Sequence, residues 1–117
     1  MRALVTFLFA IAPAISGADP AVVESVEARP AGSTWTFSVT LSHGDTGWDD
    51  YADGWRVVLA DGTVLGTREL LHPHVEEQPF TRSLSGVSIP DGTEEVYIEA
   101  RTNTDGWDDA RMAVALP

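Results

Sequence analysis

The chain has 117 residues, 18 acidic against 7 basic, for a formal net charge of −11, and it contains no cysteine. That length holds one small domain, since a second core would lack the residues to bury itself. The charge excludes nucleic acid and disfavours anionic lipid, there being no basic patch to displace counterions. The missing cysteines exclude disulfides, Cys-ligated zinc, iron–sulfur clusters and thiol catalysis.

Residues 1–18 read as a secretory signal peptide. Arg2 supplies a short positive region, Leu4 to Ile11 an apolar run interrupted only by Thr6, and Pro13 breaks the segment before Ala14, Ser16, Gly17 and Ala18. An apolar run of about ten residues is too short for a bilayer, which needs roughly 20. Cleavage is expected near Gly17 or Ala18, leaving a single domain over 19–117. The expected location is secreted or periplasmic, with no membrane insertion of the mature chain.

From there on the apolar residues recur with period two, the spacing of half-buried strands. Val22 to Ala28 opens the series. Trp35, Phe37, Val39 and Leu41 alternate with Thr36, Ser38 and Thr40. Trp55, Val57 and Leu59 lead to the hairpin signal Asp61-Gly62 and a return strand over Thr63–Glu69. Phe80, Arg82 and Leu84 start a strand running to Ile89. Pro90-Asp91-Gly92-Thr93 turns into Val96, Ile98 and Ala100, and Met112, Val114 and Leu116 close the chain. Seven short strands between Gly, Asp and Pro turns predict an all-β, seven-stranded antiparallel sandwich.

Trp35 in the second strand, the hairpin Gly54–Glu69 and Ile89-Pro90-Asp91-Gly92-Thr93 before a long alternating strand carry a resemblance. On these the chain resembles the fibronectin type III and immunoglobulin-like superfamily over residues 20–117. Glu95 stands where that family has its corner tyrosine. The block His72–Ser83 also looks like that of a group of small exported bacterial proteins. The resemblance implies a sandwich fold and no particular activity.

In an antiparallel order, alternate connections lie at the same end. Ser42–Asp53, Leu70–Pro79 and Asn103–Asp109, the three longest, are therefore expected together at one apical end. They hold all three histidines and both copies of Gly-Trp-Asp-Asp (47–50 and 106–109). Long loops on a rigid scaffold are where binding usually resides.

His72-Pro73-His74 places two imidazoles on one side of an extended segment, and His43 supplies a third from the neighbouring loop. Imidazole suits Cu(II) and Zn(II), with Asp45 or Glu76 completing the sphere. Asp105 is another candidate, and Glu77 an outer partner. Beside so many carboxylates these histidines are expected to have raised pKa values. A metal-free alternative is a set of loop histidines bonded to carboxylates.

Trp48, Asp49, Asp50 and Tyr51 in one loop, with Trp107, Asp108 and Asp109 in another, suit a protein or glycan partner if the rings face outward. The same aspartates suggest Ca(II), the weaker metal candidate, because Arg101 occupies the position where an EF-hand needs its first carboxylate. The competing reading has both tryptophans plugging the core. No serine sits in a nucleophile elbow, and Glu76-Glu77 point to opposite faces of an extended segment. The sequence therefore reads as a non-catalytic module that binds a transition metal or, alternatively, an exported protein or glycan.

Overall fold

Hydroxyl residues alternating with large apolar ones make β2 (Thr34–Ser42) the spine of the first sheet. Its Phe37, Val39 and Leu41 are fully buried. Its outward Thr36, Ser38 and Thr40 bond to Ser85, Ser83 and Thr81 across the ladder at 3.2, 2.7 and 2.7 Å. The computed structural model describes residues 19–117, so the apolar leader lies outside the described residues. Those residues form two antiparallel sheets and no helix. In one sheet, β1 (Val22–Ala31) and β5 (Phe80–Val87) flank β2. In the other, β4 (Val64–Glu69), β3 (Ala52–Val58) and β6 (Glu95–Thr102) lie side by side.

Eight strands form where seven are expected. β7 (Gly106–Trp107) and β8 (Met112–Ala115) both pair with β6, one after the other along its free edge. Between them residues 108–111 face only Glu99 and Ala100, and this surplus breaks the last strand in two. Trp55 and Val57 of β3, Val96, Ile98 and Ala100 of β6, and Phe80 and Val87 of β5 meet the β2 residues in one apolar cluster. Trp35 is half-buried against that cluster, as its alternation predicts.

The outer face of the larger sheet carries a continuous polar chain. Asp53 accepts from Arg101 Nε at 2.8 Å, and the Arg101 guanidinium lies 4.9 Å from the centre of the Trp107 ring. Arg56 lies 3.9 Å from the same ring and donates to Glu99 at 2.8 Å. Arg111 reaches the other Glu99 oxygen at 2.8 Å and packs 4.9 Å from Tyr97, whose hydroxyl donates to Glu95. Trp107 thus packs against two cations on the sheet, a cation–π arrangement that the sequence pattern alone cannot distinguish from a core plug.

Burial opposes ionisation of Glu99, but the hydrogen bonds from Arg111 and Arg56 outweigh it and hold its carboxyl below the ordinary value. A lowered folded pKa means this contribution is complete above the unfolded value of about 4.3 and is lost as pH falls through the folded value. Glu99→Gln should therefore cost about 1.5–3 kcal/mol at pH 7, the range for hydrogen bonds to charged groups. Urea midpoints should show the gap between wild type and variant closing as the pH is lowered toward 3.

Candidate functional site

The three long connections do meet at one end. Tyr51 donates its backbone N–H to Asn103 Oδ1 at 2.8 Å, Asn103 N–H returns to Tyr51 O at 3.1 Å, and Asn103 Nδ2 donates to Trp48 O at 2.9 Å. Gln78 clips the other pair of loops, accepting from His43 N–H and donating to His74 O, both at 2.9 Å. At the centre lies the fully buried carboxylate of Asp45. Its Oδ1 accepts from Ala52 N–H at 3.0 Å and from His43 Nδ1 at 2.6 Å, and its Oδ2 accepts from His74 N–H at 2.8 Å. One carboxylate therefore ties the β2–β3 loop, the start of β3 and the β4–β5 segment together.

His43 is held by this anchor with its side chain wholly buried. Its other nitrogen, Nε2, lies 2.8 Å from Asp19 O, 3.4 Å from Asp19 Oδ2 and 3.7 Å from Asp50 Oδ1. Both ring nitrogens thus face oxygen acceptors, which favours a proton on each. Burial by itself lowers the pKa of His43, but the hydrogen bond to Asp45 and the charges of Asp19 and Asp45 more than reverse it, so the net shift is upward. Asp50 Oδ1 is buried with no hydrogen-bond partner. One oxygen from each of Asp19 and Asp50 and one nitrogen of His43 lie within 4.8 Å of one another. Among the described residues no other set of three His, Asp or Glu ligand atoms is so close. With Nδ1 held by a carboxylate, the ring turns Nε2 toward the Asp19 and Asp50 oxygens, a set of ligand types and spacings that could hold a metal ion.

The sequence-derived ligand set is corrected in three ways. His43, His72 and His74 do not converge on one ion. His72 and His74 stand together, ring centroids 5.1 Å apart, but His74 stacks on Phe80 at 3.9 Å and accepts from Arg82 at Nε2. Asp45 bonds the His43 ring nitrogen opposite the Asp19–Asp50 group and is not part of that group, and Glu76 is exposed and outside it. The expectation of raised histidine pKa values holds for His43 and fails for His74, which is lowered by burial and by the nearby charges of Arg82 and His72.

The aromatic candidates separate as well. Gly47–Asp50 is a tight turn closed by Thr46 N–H to Asp50 O at 3.0 Å and Asp50 N–H to Gly47 O at 3.2 Å. Its central residues are thrown outward: Trp48 is 65% exposed and Asp49 is exposed. Tyr51 meets the Trp48 ring edge-on at 5.6 Å. Trp107 belongs to the sheet face, not to this platform, and Asp108 and Asp109 line a separate shallow cavity beside Pro20 and Ala21. Asp19 and Gln78 are the site residues that sequence reasoning missed. Asp19 reads as the residue following a leader, and nothing in spacing brings it to His43.

A Halomicrobium mukohataei protein named "Putative lipoprotein" is 42% identical to this chain over 93 residues, covering 80% of the chain and 45% of the relative. The chain thus spans a little under half the length of that relative. No protein-family model matches the chain, and no solved structure matches it.

Replacing Asp45 leaves two backbone N–H groups and a buried imidazole without their acceptor. Asp45→Ala should lower stability by about 3–5 kcal/mol, the cost of breaking a buried charge pair, measured as the shift in denaturant midpoint. In metal-free protein the raised pKa of His43 makes its contribution complete below the unfolded value of about 6.5 and lost as pH rises through the folded value. NMR titration of the histidine rings should place His43 above, and His74 below, that value.

Proposed function

We propose that this chain is an exported, non-catalytic β-sandwich module that holds a divalent transition metal, Zn(II) or Cu(II), at its apical end. The ligands are His43 Nε2 and the carboxylates of Asp19 and Asp50, with Asp45 holding the ring from behind. The observation that carries this reading is the unpartnered, buried Asp50 Oδ1 facing His43 Nε2 at 3.7 Å, with Asp19 Oδ2 on the same nitrogen at 3.4 Å. A cation would take the place of the Nε2 proton and satisfy the oxygen that now has no donor. The imidazole favours Zn(II) or Cu(II) over Ca(II), which prefers an all-oxygen shell. The net charge of −11 supports cation capture.

Export is supported by the apolar leader and by the name of the Halomicrobium relative. The strand orders β1-β2-β5 and β4-β3-β6, with β8 beside β6, support immunoglobulin-like or fibronectin type III-like connectivity, the fourth strand lying next to the third.

Calorimetric titration of the protein with Zn(II) and Cu(II) should give one site with Kd below about 10 μM (about −7 kcal/mol). Asp50→Asn should weaken it at least about tenfold, and Asp45→Asn by about 10–100-fold as an outer-partner change. His72→Ala should leave affinity unchanged. Wild-type affinity weaker than about 10 μM would reject the reading.

A second reading, an interaction module for an exported protein or glycan, is favoured by the outward Trp48 beside Tyr51. Its signature would be a partner lost in Trp48→Ala and retained in Asp50→Asn.

A further inference from the structure

His43, Asp19 and Asp50 supply three ligand groups, and sites for Zn(II) or Cu(II) ordinarily take a fourth. Asp19 is the outermost of the three. Its side chain is 60% exposed, against 34% for Asp50 and none for His43, so the remaining position is reached from the Asp19 side.

The same residue follows the leader. Of the two junctions expected from the sequence, only the one after Ala18 has small residues both last and third from last before the cut, Ala18 and Ser16. A cut after Gly17 would put Ile15 at the third position. A leader peptidase hydrolysing the Ala18–Asp19 bond takes up one water, leaves the carboxyl on Ala18 and gives Asp19 a free α-amine. In the uncut chain that nitrogen is an amide, its lone pair delocalised into the carbonyl, and it is no ligand. As an amine it is a nitrogen donor that closes a six-membered chelate with its own side-chain carboxylate.

Chain ends usually fray unless tied down, and this one is tied down at the site. Ala21, two residues on, is buried in the core, and Pro20 restricts the backbone of Asp19. Asp19 O lies 2.8 Å from His43 Nε2. Bond geometry holds the Asp19 nitrogen within about 4 Å of that oxygen. The residue that supplies a carboxylate therefore also keeps the amine near the ring. A competing role for the new terminus is a plain ion pair, an α-ammonium donating to the unpartnered Asp50 Oδ1.

We propose, resting on the metal reading above, that removal of the leader after Ala18 completes the apical site. The α-amine of Asp19 is its fourth ligand, so the processed, exported chain binds Zn(II) or Cu(II) tightly and the precursor does not. On binding, the terminal ammonium releases one proton to solvent.

The chain has no lysine, so the processed protein carries a single amine that N-hydroxysuccinimide acetate can acetylate. Protein exported through its own leader and freed of metal should begin at Asp19 by mass spectrometry. Zn(II) should slow its acetylation at least about tenfold, with EDTA restoring the rate, and acetylation should raise the calorimetric Kd for Zn(II) at least about tenfold while circular dichroism stays unchanged. The protection measurement uses unmodified protein and stands even if acetylation disturbs the fold. Acetylation removes a positive charge, so an amine that only pairs with Asp50 gives tighter binding once acetylated. A terminus other than Asp19, acetylation unaffected by bound Zn(II), or a folded acetylated protein that binds equally or more tightly would each overturn the proposal and leave the three-ligand site standing. No Zn(II) binding by the unacetylated protein would overturn the metal reading with it.

Discussion

The apical end depends on one buried carboxylate. Moving a charge such as that of Asp45 out of water costs several kcal/mol unless its lone pairs are met, and here two backbone N–H groups and an imidazole meet them. Because those donors come from three separate stretches of chain, satisfying the charge and fixing the loops are the same event. The start of β3, the course of the β4–β5 segment and the orientation of His43 all follow from it. Gln78 and Asn103 then join neighbouring pairs of loops with ordinary amide hydrogen bonds.

The acid excess looks uniform in the composition and is not uniform in space. Asp53, Glu95 and Glu99 are spent on a chain of arginines and aromatic rings across the larger sheet. These contacts range from exposed, as at Glu95, to nearly buried, as at Glu99, and only the latter carries much stability. Asp19, Asp45 and Asp50 instead crowd one histidine, and one of their oxygens is left without a donor. Charge paired with arginine is structural, and charge converging on an imidazole is what a cation would recognise.

Most of the fold was legible in the sequence because period-two alternation reports which face a strand buries, as Phe37, Val39 and Leu41 do in β2. The meeting of the long connections was legible too, since antiparallel order alone sends alternate loops to one end. The site was legible only in part. His43 and Asp50 sat in a loop marked by its aspartates, but which carboxylate ligates and which orients depends on atom-level geometry that spacing does not carry. His-x-His looked like a ligand pair, whereas Phe80 stacking and the Arg82 hydrogen bond draw His74 toward the core. Trp107 repeated the motif of Trp48, yet a two-residue strand carries it onto the sheet against two arginines, while Trp48 occupies a turn tip. An identical tetrapeptide therefore has two fates, decided by whether an adjacent strand edge is free to pair.

The two oxygens of Asp45 tie different stretches of chain. Oδ1 holds the His43 ring, and Oδ2 holds the backbone of His74. A change at Asp45 disturbs both stretches through the loops it ties, so its effect on cation affinity is meaningful only beside that of Asp50. Asp50 is the separable handle, since its unpartnered oxygen faces His43 and its side chain ties no loop. An affinity that falls in Asp50→Asn with the fold unchanged is local chemistry. One that falls only with Asp45 reflects the stability of the apical end itself.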